Sequence, residues 1–172
     1  MTAWIVNPFD NLPLEGNRPQ RYWLLARAFA RAGHDVTLWT SDFSHARKAK
    51  RVLRGVDGGE RKQGCWGTRW SSGETPDFRV VLVETPAYRA NICLRRIWSH
   101  RVFARRWREL AGGEPPPDVL VTSLPPLALG QAAGAARAAR TFWIVDVMDA
   151  WPVTFERIVP RALLAPLRGV AK

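Results

Sequence analysis

The stretch AWIVNPFDNLPLEGNRPQRYWLLARAFARAGHDVTLWT, residues 3–40, contains two short apolar runs with a longer amphipathic segment between them. The runs AWIVN (3–7) and DVTLWT (35–40) have the length and composition of strands. Apolar residues of the intervening segment recur at helical spacing: Tyr22, Leu25, Phe29 and Ala32. Gly33 ends this periodicity and is a natural helix stop. A strand, a polar loop, a helix, a glycine turn and a second strand predict a βαβ unit with parallel strands.

The same alternation of strands and helices continues downstream of residue 40. The further elements expected are strands at 78–86, 117–123 and 141–148 and helices over 91–111 and the Ala-rich 125–140. Because these strands lack a clean apolar and polar alternation and are separated by helices, they are typical of a parallel sheet buried on both faces. We therefore predict the α/β class: a single Rossmann-like domain over residues 1–160, with a mainly parallel sheet and helices on both faces.

Residues 44–77 interrupt this pattern with weak periodicity and dense positive charge. Its first part contains Arg47, Lys48, Lys50, Arg51, Arg54, Arg61 and Lys62 against Asp57 and Glu60. We expect a basic, irregular excursion here, for which two interpretations are open. It is a solvated loop, or it is a flap that faces an anion or a membrane.

The composition favours a soluble or peripheral protein with an anionic partner. The chain has 172 residues and is 47% hydrophobic, which suits one domain with a real core. It carries 26 Lys+Arg against 15 Asp+Glu, and the net charge of +11 favours nucleic acid, a membrane surface or phosphorylated substrates. Cys65 and Cys93 form no CxxC motif and are expected to be free thiols in a reducing compartment. The sequence starts without the basic region of a signal peptide, and no apolar run approaches the ~18 residues of a membrane span.

Several functional classes lack their motifs in this sequence. There is no GxGxxG after the first strand, which argues against a dinucleotide site. GxSxG, HExxH and the P-loop are absent as well, so nucleophilic hydrolysis, zinc proteolysis and P-loop NTPase activity are not expected. The 3 histidines are scattered and suggest no structural zinc site, and we predict neither a metal nor a cofactor.

The loop after the first strand contains a candidate anion site. Ligands of open parallel sheets collect beyond the carboxyl ends of the strands, so loops distant in sequence are expected to converge there. Gly16 precedes the expected helix, allows close backbone approach and leaves exposed N–H groups that favour an anion. Arg18 can add a charge-assisted bond to a phosphate, and we take Gly16, Asn17 and Arg18 as candidate substrate-binding residues. The alternative is an ordinary turn in which Asn17 caps the helix and Pro19 lies in its first turn.

Three further candidates follow the second and fourth strands. Asp42 and His45, in the loop TSDFSH, can orient a substrate hydroxyl, although an Asp and a His in a loop often have no such role. Ser123 ends the fourth strand just before Leu-Pro-Pro and is a weak signal on its own. We take Asp42 and Ser123 as candidate substrate-binding residues and His45 as a candidate catalytic residue.

The segment DVMDAWP, residues 146–152, places two acids at the end of the fifth strand of a basic chain. Asp146 and Asp149 resemble a pair for binding or base chemistry, but their spacing across a strand end does not fix a common direction. Trp151 and Pro152 add a rigid aromatic platform beside them. We predict substrate binding by Asp146 and Trp151 and catalysis by Asp149. The alternative is that Asp149 simply starts the next turn.

The segment 88–110 combines aromatic and basic residues on a predicted helix. The ridge expected to face the sheet contains Ile92, Ser99, Phe103, Trp107 and Leu110. A second ridge contains Leu94, Trp98 and Val102, flanked by Arg101 and Arg105. Either the helix is buried on both sides with snorkelling arginine stems, or Trp98, Arg101 and Arg105 contact anionic lipid headgroups. Nucleic acid would use the same residues, but no recognised reader motif accompanies them.

Four segments, taken in order, resemble the N-terminal domain of glycosyltransferase family 4, in the branch that builds bacterial surface polysaccharides and O-antigen. They are NPFDNLPLEGNRPQRYWLLARAFARAGHDVTLWTSDFSH, ETPAYRANICLRRIWSH, PDVLVTSLPPLALG and VDVMDAWP. The resemblance covers almost all of the chain except the basic stretch 47–77.

This resemblance implies one half of a GT-B architecture, in which two Rossmann-like halves face each other across a cleft. The N-terminal half holds the acceptor, the C-terminal half binds the nucleotide-sugar, and transfer proceeds with retention and without a metal. By this analogy the Gly16–Arg18 loop approaches the sugar-phosphate. The acceptor side is lined by Asp42, His45, Ser123 and Asp149. Polyprenyl-linked acceptors are common in this branch, which gives the helix at 88–110 and the net charge a shared explanation.

Two departures from the family pattern affect the expected activity. Many relatives carry histidines about where Ser123 and Met148 stand, and the residues after 152 supply neither a second α/β half nor its paired glutamates. We expect residues 161–172 to be a tail or the start of an interdomain segment, and the chain alone to be inactive without a donor half in cis or in trans. The expected function is the acceptor-binding half of a glycosyltransferase, cytoplasmic and peripheral at the inner face of the cell membrane. The alternative is a non-catalytic Rossmann-like module that binds a phosphorylated sugar or a partner protein.

Overall fold

The computed structural model describes residues 1–51, the backbone of residues 67–71, and residues 76–149. The strands of this part of the chain are β1 (Thr2–Val6), β2 (Asp35–Ser41), β3 (Phe43–Ser44), β4 (Ala49–Lys50), β5 (Gly67–Ser71), β6 (Arg79–Val83), β7 (Val119–Leu124) and β8 (Phe142–Val147). The helices are α1 (Arg21–Arg31), α2 (Leu94–Ala111) and α3 (Leu127–Ala136), and a 3₁₀ turn spans Pro13–Glu15. The order of the main sheet is β5-β6-β2-β1-β7-β8.

The central sheet is parallel over five strands, β6, β2, β1, β7 and β8. Strand β5 pairs antiparallel with β6 at one edge. The predicted α/β class with a single Rossmann-like domain and a mainly parallel sheet is therefore confirmed. The chain moves outward from β1 through β2 to β6 and then returns to β7 on the other side of β1. This reversal of direction places a topological switch point between β1 and β7, where ligands of such sheets usually bind.

Helices pack against both faces of the central strands, whose side chains alternate between the two faces, whereas the edge strand β8 is largely exposed. On one face, Tyr22 and Trp23 of α1 are buried in a cluster with strand residues such as Ile5. On the other face, Phe103 of α2 and Leu129 of α3 join a second buried cluster. Each large apolar side chain that is fully buried contributes about 1.5–3 kcal/mol, so the two clusters hold the strand ends in fixed positions.

Helix α1 begins at Arg21 with Gln20 as its N-cap, so the interpretation of Asn17 as the cap is wrong. The physical reason lies in the preceding loop. The 3₁₀ turn ends at Gly16, whose φ of 75° is in the left-handed region, and the chain needs four more residues before helical geometry starts. The cap of α1 comes from a distant residue instead, because the N–H of Trp23 donates to a carboxylate oxygen of Asp10 at 2.9 Å.

The segment 44–77 contains regular structure, which differs from the predicted irregular excursion. Its start forms a two-stranded hairpin, in which β3 pairs antiparallel with β4. Residues 67–71 form β5 and extend the main sheet. These strands are two to five residues long, too short for a periodic apolar signal, and polar residues are common in strands at a sheet edge. Residues 52–66 and 72–75 lie outside the described part of the chain.

Candidate functional site

The carboxyl ends of β1, β2, β6, β7 and β8 lie along one edge of the sheet, here called the carboxyl edge, because the five strands are parallel. Apart from those on α2 and from Trp151, which lies outside the described residues, the predicted site residues lie near the ends of β7 and β8 or in the segments that follow the strands. The structure shows which of these residues are free to meet a ligand and which are engaged within the protein.

A buried ion pair joins the loop after β1 to the end of the β3–β4 hairpin. The guanidinium of Arg51 contacts the carboxylate of Glu15, and the two side chains are 0% and 1% exposed. Arg51 also donates to the main-chain oxygens of Asp10 and Ser41, and Arg47 donates to the main-chain oxygen of Glu15. Both guanidinium groups therefore bond to the backbone around the loop between Asp10 and Glu15, and Arg51 also balances the Glu15 charge.

Asp10 occupies the amino terminus of α1. Its Oδ2 accepts the N–H of Trp23 at 2.9 Å, and its Oδ1 is buried without a hydrogen-bond partner among the described residues. Burial raises the pKa of Asp10 from 3.8 to about 7, against the lowering effects of the Trp23 N–H and of Arg51. Because Arg51 is paired with Glu15, it compensates a negative charge on Asp10 only in part.

The predicted anion site at Gly16, Asn17 and Arg18 lies just before the amino terminus of α1, where Asp10 accepts a helix N–H. Gly16 and Arg18 are exposed and Asn17 is half-buried in the turn before α1. The helix amides that were expected to attract a phosphate are partly used, since the N–H of Trp23 is bonded to Asp10. The structure thus leaves Arg18 as an exposed cation near a helix end that carries its own internal acceptor.

Asp146 ties the end of β8 to the start of α1. Its Oδ2 lies 2.8 Å from Nη1 of Arg21 and 2.8 Å from the hydroxyl of Tyr22. Partial burial opposes ionisation of Asp146, but the hydrogen bonds from Arg21 and Tyr22 outweigh it and lower the pKa of this carboxyl. Asp149 is exposed in the bend after β8, and no hydrogen bond or ion pair joins it to the other described residues. The predicted platform at Trp151 lies outside the described residues.

Asp42 and Ser123 are engaged in internal bonds. Oδ1 of Asp42 accepts the N–H of Thr85 at 2.7 Å, and its Oδ2 is paired with Lys50, so Asp42 joins the ends of β2 and β6. Ser123 is 0% exposed and donates its hydroxyl to Oδ1 of Asn7 at 3.1 Å. The structure brings Ser123 to the switch point between β1 and β7, but it places the hydroxyl in the interior.

His45 belongs to an aromatic cluster under the carboxyl edge. Its Nδ1 lies 2.6 Å from the hydroxyl of Tyr88 and 3.2 Å from Nζ of Lys48. The ring of Phe9 packs between His45 and His100, at centroid distances of 5.4 and 5.2 Å. Burial, followed by the charges of Lys48 and Arg96, lowers the pKa of His45 to about 4. A base with so low a pKa is a weak proton acceptor at neutral pH, so the geometry suits a positioning role better than catalysis.

A surface cavity of about 610 Å³ opens beside this cluster. Sequence reasoning missed it. It is lined by Lys48, Ala87, Tyr88, Arg89, Ala90, Cys93 and Arg95. Three of these side chains are cationic, and the lining within the described part of the chain includes no Asp or Glu. We call this feature the cationic cavity. The run YRANICLRR, residues 88–96, was the sequence signal that could have indicated it.

Two other cavities lie away from the converging loops. One, of about 480 Å³, contacts Trp4, Trp107 and Thr141 near the amino ends of the strands. Another, of about 260 Å³, lies between α2 and α3. Because ligands of parallel sheets bind at the opposite end of the strands from the first cavity, we give the cationic cavity more weight although the other two are also partly basic.

Helix α2 lines the cationic cavity with Arg95 in its first turn and presents an exposed stripe further along, where Arg101 and Arg105 line the cavity between α2 and α3. Trp98, Arg101 and Arg105 are exposed and spaced so that they share one helix face. Ile92, Leu94 and Ile97 add exposed apolar surface at the same end of the helix. The ridge expected to face the sheet is confirmed at Ser99, Phe103, Trp107 and Leu110 and is wrong at Ile92, which precedes the helix and is 77% exposed. Val102 of the second ridge is buried.

No described helix combines the length and apolar character needed to cross a bilayer. Within the described ranges, no group of three His, Cys, Asp or Glu side chains is placed to hold a metal ion. No protein-family model matches the chain, and no curated protein matches it at a significant level.

Proposed function

We propose that this chain is the acceptor-binding half of a glycosyltransferase that moves a sugar from a nucleotide-sugar to a lipid-linked or polysaccharide acceptor in cell-surface glycan synthesis. The observation that carries the proposal is the position of the cationic cavity at the carboxyl edge of a parallel sheet, where its lining reaches the exposed apolar start of α2. A cavity for an anion beside an apolar and basic surface suits an acceptor whose sugar is joined through phosphate to a lipid.

The stripe on α2 supports action at the inner face of the cell membrane. Trp98 is 55% exposed, and Arg101 and Arg105 are exposed on the same helix face. An exposed aromatic ring with neighbouring arginines is typical of a surface that lies on anionic headgroups. The net charge of +11 adds a general attraction to such a surface.

Asp149 is the better of the two predicted catalytic residues. It is exposed at the end of β8, where its carboxylate can accept a proton from an acceptor hydroxyl. His45 has its Nδ1 beside the Tyr88 hydroxyl, and in this proposal it positions the wall of the cationic cavity. The nucleotide-sugar binds to a donor half in cis or in trans, and the proposed transfer is retaining and metal-independent, as the family resemblance implies.

The test is a binding and transfer assay with an undecaprenyl-diphosphate-linked sugar in detergent micelles. Residues 1–172 are expected to bind this acceptor saturably, and the fluorescence of the 9 tryptophans measures the binding. Residues 1–172 alone are expected to show no transfer. Transfer from nucleotide-sugars is expected only with a donor half supplied in cis or in trans, and Asp149→Asn is expected to lower it strongly while acceptor binding persists. Absence of acceptor binding under all conditions would contradict the proposal.

A second candidate is a non-catalytic module that binds a phosphorylated sugar or a partner protein. It is favoured by the internal engagement of Asp42, Ser123 and Asp146, which leaves few polar groups for chemistry. The same assay separates the two functions, because a module binds the acceptor or a sugar phosphate but supports no transfer when a donor half is present.

A further inference from the structure

The cationic cavity combines positive side chains from three different parts of the chain. Lys48 comes from the β3–β4 hairpin, Arg89 from the loop after β6, and Arg95 from the first turn of α2. A volume of about 610 Å³ lies within the roughly 300–1,000 Å³ that is usual for small-molecule sites. The cavity is open to solvent on one side, so a charged ligand can enter without being fully desolvated.

None of the three cations has a carboxylate partner among the described residues. Elsewhere at the same edge the protein pairs its cations, as in Arg51 with Glu15 and Lys50 with Asp42. Arg96, next to Arg95, resembles the cavity cations rather than these pairs, because its Nη1 donates to a neutral group, the main-chain oxygen of Asn91, at 2.6 Å. Several like charges without internal compensation create a positive potential that an anionic ligand lowers.

Lys48 is held in place at the inner wall of the cavity. Its backbone has a φ of 54°, the positive value of a non-glycine residue in the left-handed region. Its Nζ lies 5.3 Å from the ring centroid of Tyr88 and 3.2 Å from Nδ1 of His45. The contacts with Tyr88 and His45 therefore orient this ammonium group at the cavity.

The chemistry of the lining suits a multiply charged oxyanion such as phosphate. The guanidinium groups of Arg89 and Arg95 can each donate two parallel N–H bonds to phosphate oxygens, and the ammonium of Lys48 adds a point charge. The apolar residues Ile92 and Leu94 flank Cys93 of the lining in sequence and are 77% and 84% exposed. A phosphate in the cavity would thus lie beside a surface that accepts a hydrocarbon chain.

We propose that the cationic cavity is a phosphate-binding site, in which Lys48, Arg89 and Arg95 hold the phosphate or diphosphate group of a ligand. The same group can come from a lipid-linked diphosphate or from a soluble sugar phosphate. Phosphate binding does not depend on glycosyl transfer, and only the choice of a lipid as its source rests on the proposed function.

The experiment is a calorimetric titration of residues 1–172 with inorganic pyrophosphate at low salt. Lys48→Asn, Arg89→Gln and Arg95→Gln each remove one cation, and Asn is chosen at position 48 because it tolerates a positive φ. Arg31→Gln is the matched control, because Arg31 is an exposed arginine at the end of α1. Each cavity variant is expected to weaken binding about tenfold or more, since a charged hydrogen bond contributes about 1.5–3 kcal/mol, and the control less than about twofold. Circular dichroism checks that each variant is folded.

Competition identifies the source of the phosphate. Micelles that contain an undecaprenyl-diphosphate-linked sugar, and a soluble sugar phosphate, are each added against bound pyrophosphate. Displacement by the micelles or by the sugar phosphate supports the site and names its ligand. Absence of pyrophosphate binding, or equal affinities of the cavity variants and Arg31→Gln, would overturn the proposal. The pyrophosphate titration needs no sugar donor, so a negative transfer assay does not change its outcome. A negative titration, in turn, overturns the phosphate site without deciding whether the chain supports glycosyl transfer.

Discussion

Two groups of cations lie close together at the carboxyl edge, and they differ in whether a carboxylate of the protein balances their charge. Arg51 is buried, and its charge is balanced by Glu15 within the protein. Lys48, three positions earlier in the sequence, lines an open cavity with Arg89 and Arg95 and has no carboxylate partner among the described residues. The difference is the source of the counter-charge: the protein supplies it in the first group, and we propose that a ligand supplies it in the second.

Burial explains why the two groups differ. A charge that is removed from water must be paired, because an uncompensated buried ion costs several kcal/mol. A cation at an open cavity stays solvated, so it can remain unpaired until a ligand arrives. The net charge of +11 therefore does not indicate where an anion binds. A group of cations without carboxylate partners indicates a candidate position.

The largest expected effect is the loss of the buried pair. Arg51→Ala leaves the Glu15 carboxylate buried without its partner and releases the main-chain oxygens of Asp10 and Ser41. We expect the free energy of unfolding in urea to fall by about 3–5 kcal/mol. The control is Lys50→Ala, which breaks the ion pair of a side chain that is 48% exposed and is expected to cost at most about 1 kcal/mol. Equal losses in the two variants would contradict the contrast between the two groups.

A second effect concerns the dependence of stability on pH through Asp10. Burial raises the pKa of Asp10 from 3.8 to about 7, so between these values the unfolded chain has released the proton while the folded protein still holds it. The contribution of Asp10 to stability is therefore full below about pH 4 and is lost as the pH rises to about 7. Asp10→Asn keeps an acceptor for the N–H of Trp23 and cannot ionise.

The variant Asp10→Asn is expected to be more stable than the wild type at pH 8 by up to roughly 4 kcal/mol, because the pKa of Asp10 rises from 3.8 to about 7 and each unit is worth about 1.4 kcal/mol. The difference between the two proteins is expected to shrink or reverse at pH 4. Urea unfolding at both pH values measures it. A constant difference across this range would mean that Asp10 ionises as freely in the folded protein as in the unfolded chain.

His100 gives an effect of the opposite sign. Burial, followed by the charges of Arg96 and His45, lowers the pKa of His100 from 6.5 to about 4, so the folded protein resists protonation of this ring. Stability from this group is present above about pH 6.5 and is lost as the pH falls to about 4. We expect His100→Gln to lose about 1–2 kcal/mol less than the wild type between pH 7 and pH 4.5. Thermal unfolding across this range tests it, and parallel curves would disagree with the assignment.

The smallest expected effect lies on the exposed stripe of α2. Arg101→Glu and Trp98→Ala are expected to weaken binding to anionic vesicles several-fold at low salt, because each cation near such a surface contributes about 1 kcal/mol. The matched controls on α1 are Arg31→Glu, which changes another exposed arginine, and Leu24→Ala, which changes another exposed apolar residue. Co-sedimentation measures the bound fraction, and equal losses on α1 and α2 would reduce the attraction to net charge alone.

Much of the fold was predictable from local patterns in the sequence. The five parallel strands are short apolar runs such as Ala3–Val6 in β1, and Gly33 marks the end of the first helix. The pairs that shape the loops were not predictable in this way. Arg51 and Glu15 are separated by 36 residues, and neither has a local motif that indicates its partner. The cap of α1 was missed for the same reason, because Asp10 lies thirteen positions before Trp23.

The edge of the sheet at which the candidate site lies was predictable, but none of the residues that line the cationic cavity was among the predicted site residues. Parallel strands bring the loops after β1, β2 and β6 to one edge, so the edge follows from the strand order. Whether a polar side chain faces a ligand or a neighbour depends on contacts between these loops. Asp42 bonds to Thr85, and Ser123 bonds to Asn7, and both partners are distant in sequence. Lys48 stood within a segment interpreted as a basic excursion and gave no separate signal.

The most direct test of the central claim is a comparison of two kinds of vesicle with equal surface charge. One contains an undecaprenyl-diphosphate-linked sugar and the other only phosphatidylglycerol. In co-sedimentation, residues 1–172 are expected to bind more strongly to the vesicles that contain the lipid-linked sugar. The double variant Arg89→Gln/Arg95→Gln is expected to lose this preference while it still binds phosphatidylglycerol. Equal retention of the wild type on the two kinds of vesicle would contradict a phosphate-binding cavity that serves a lipid-linked acceptor.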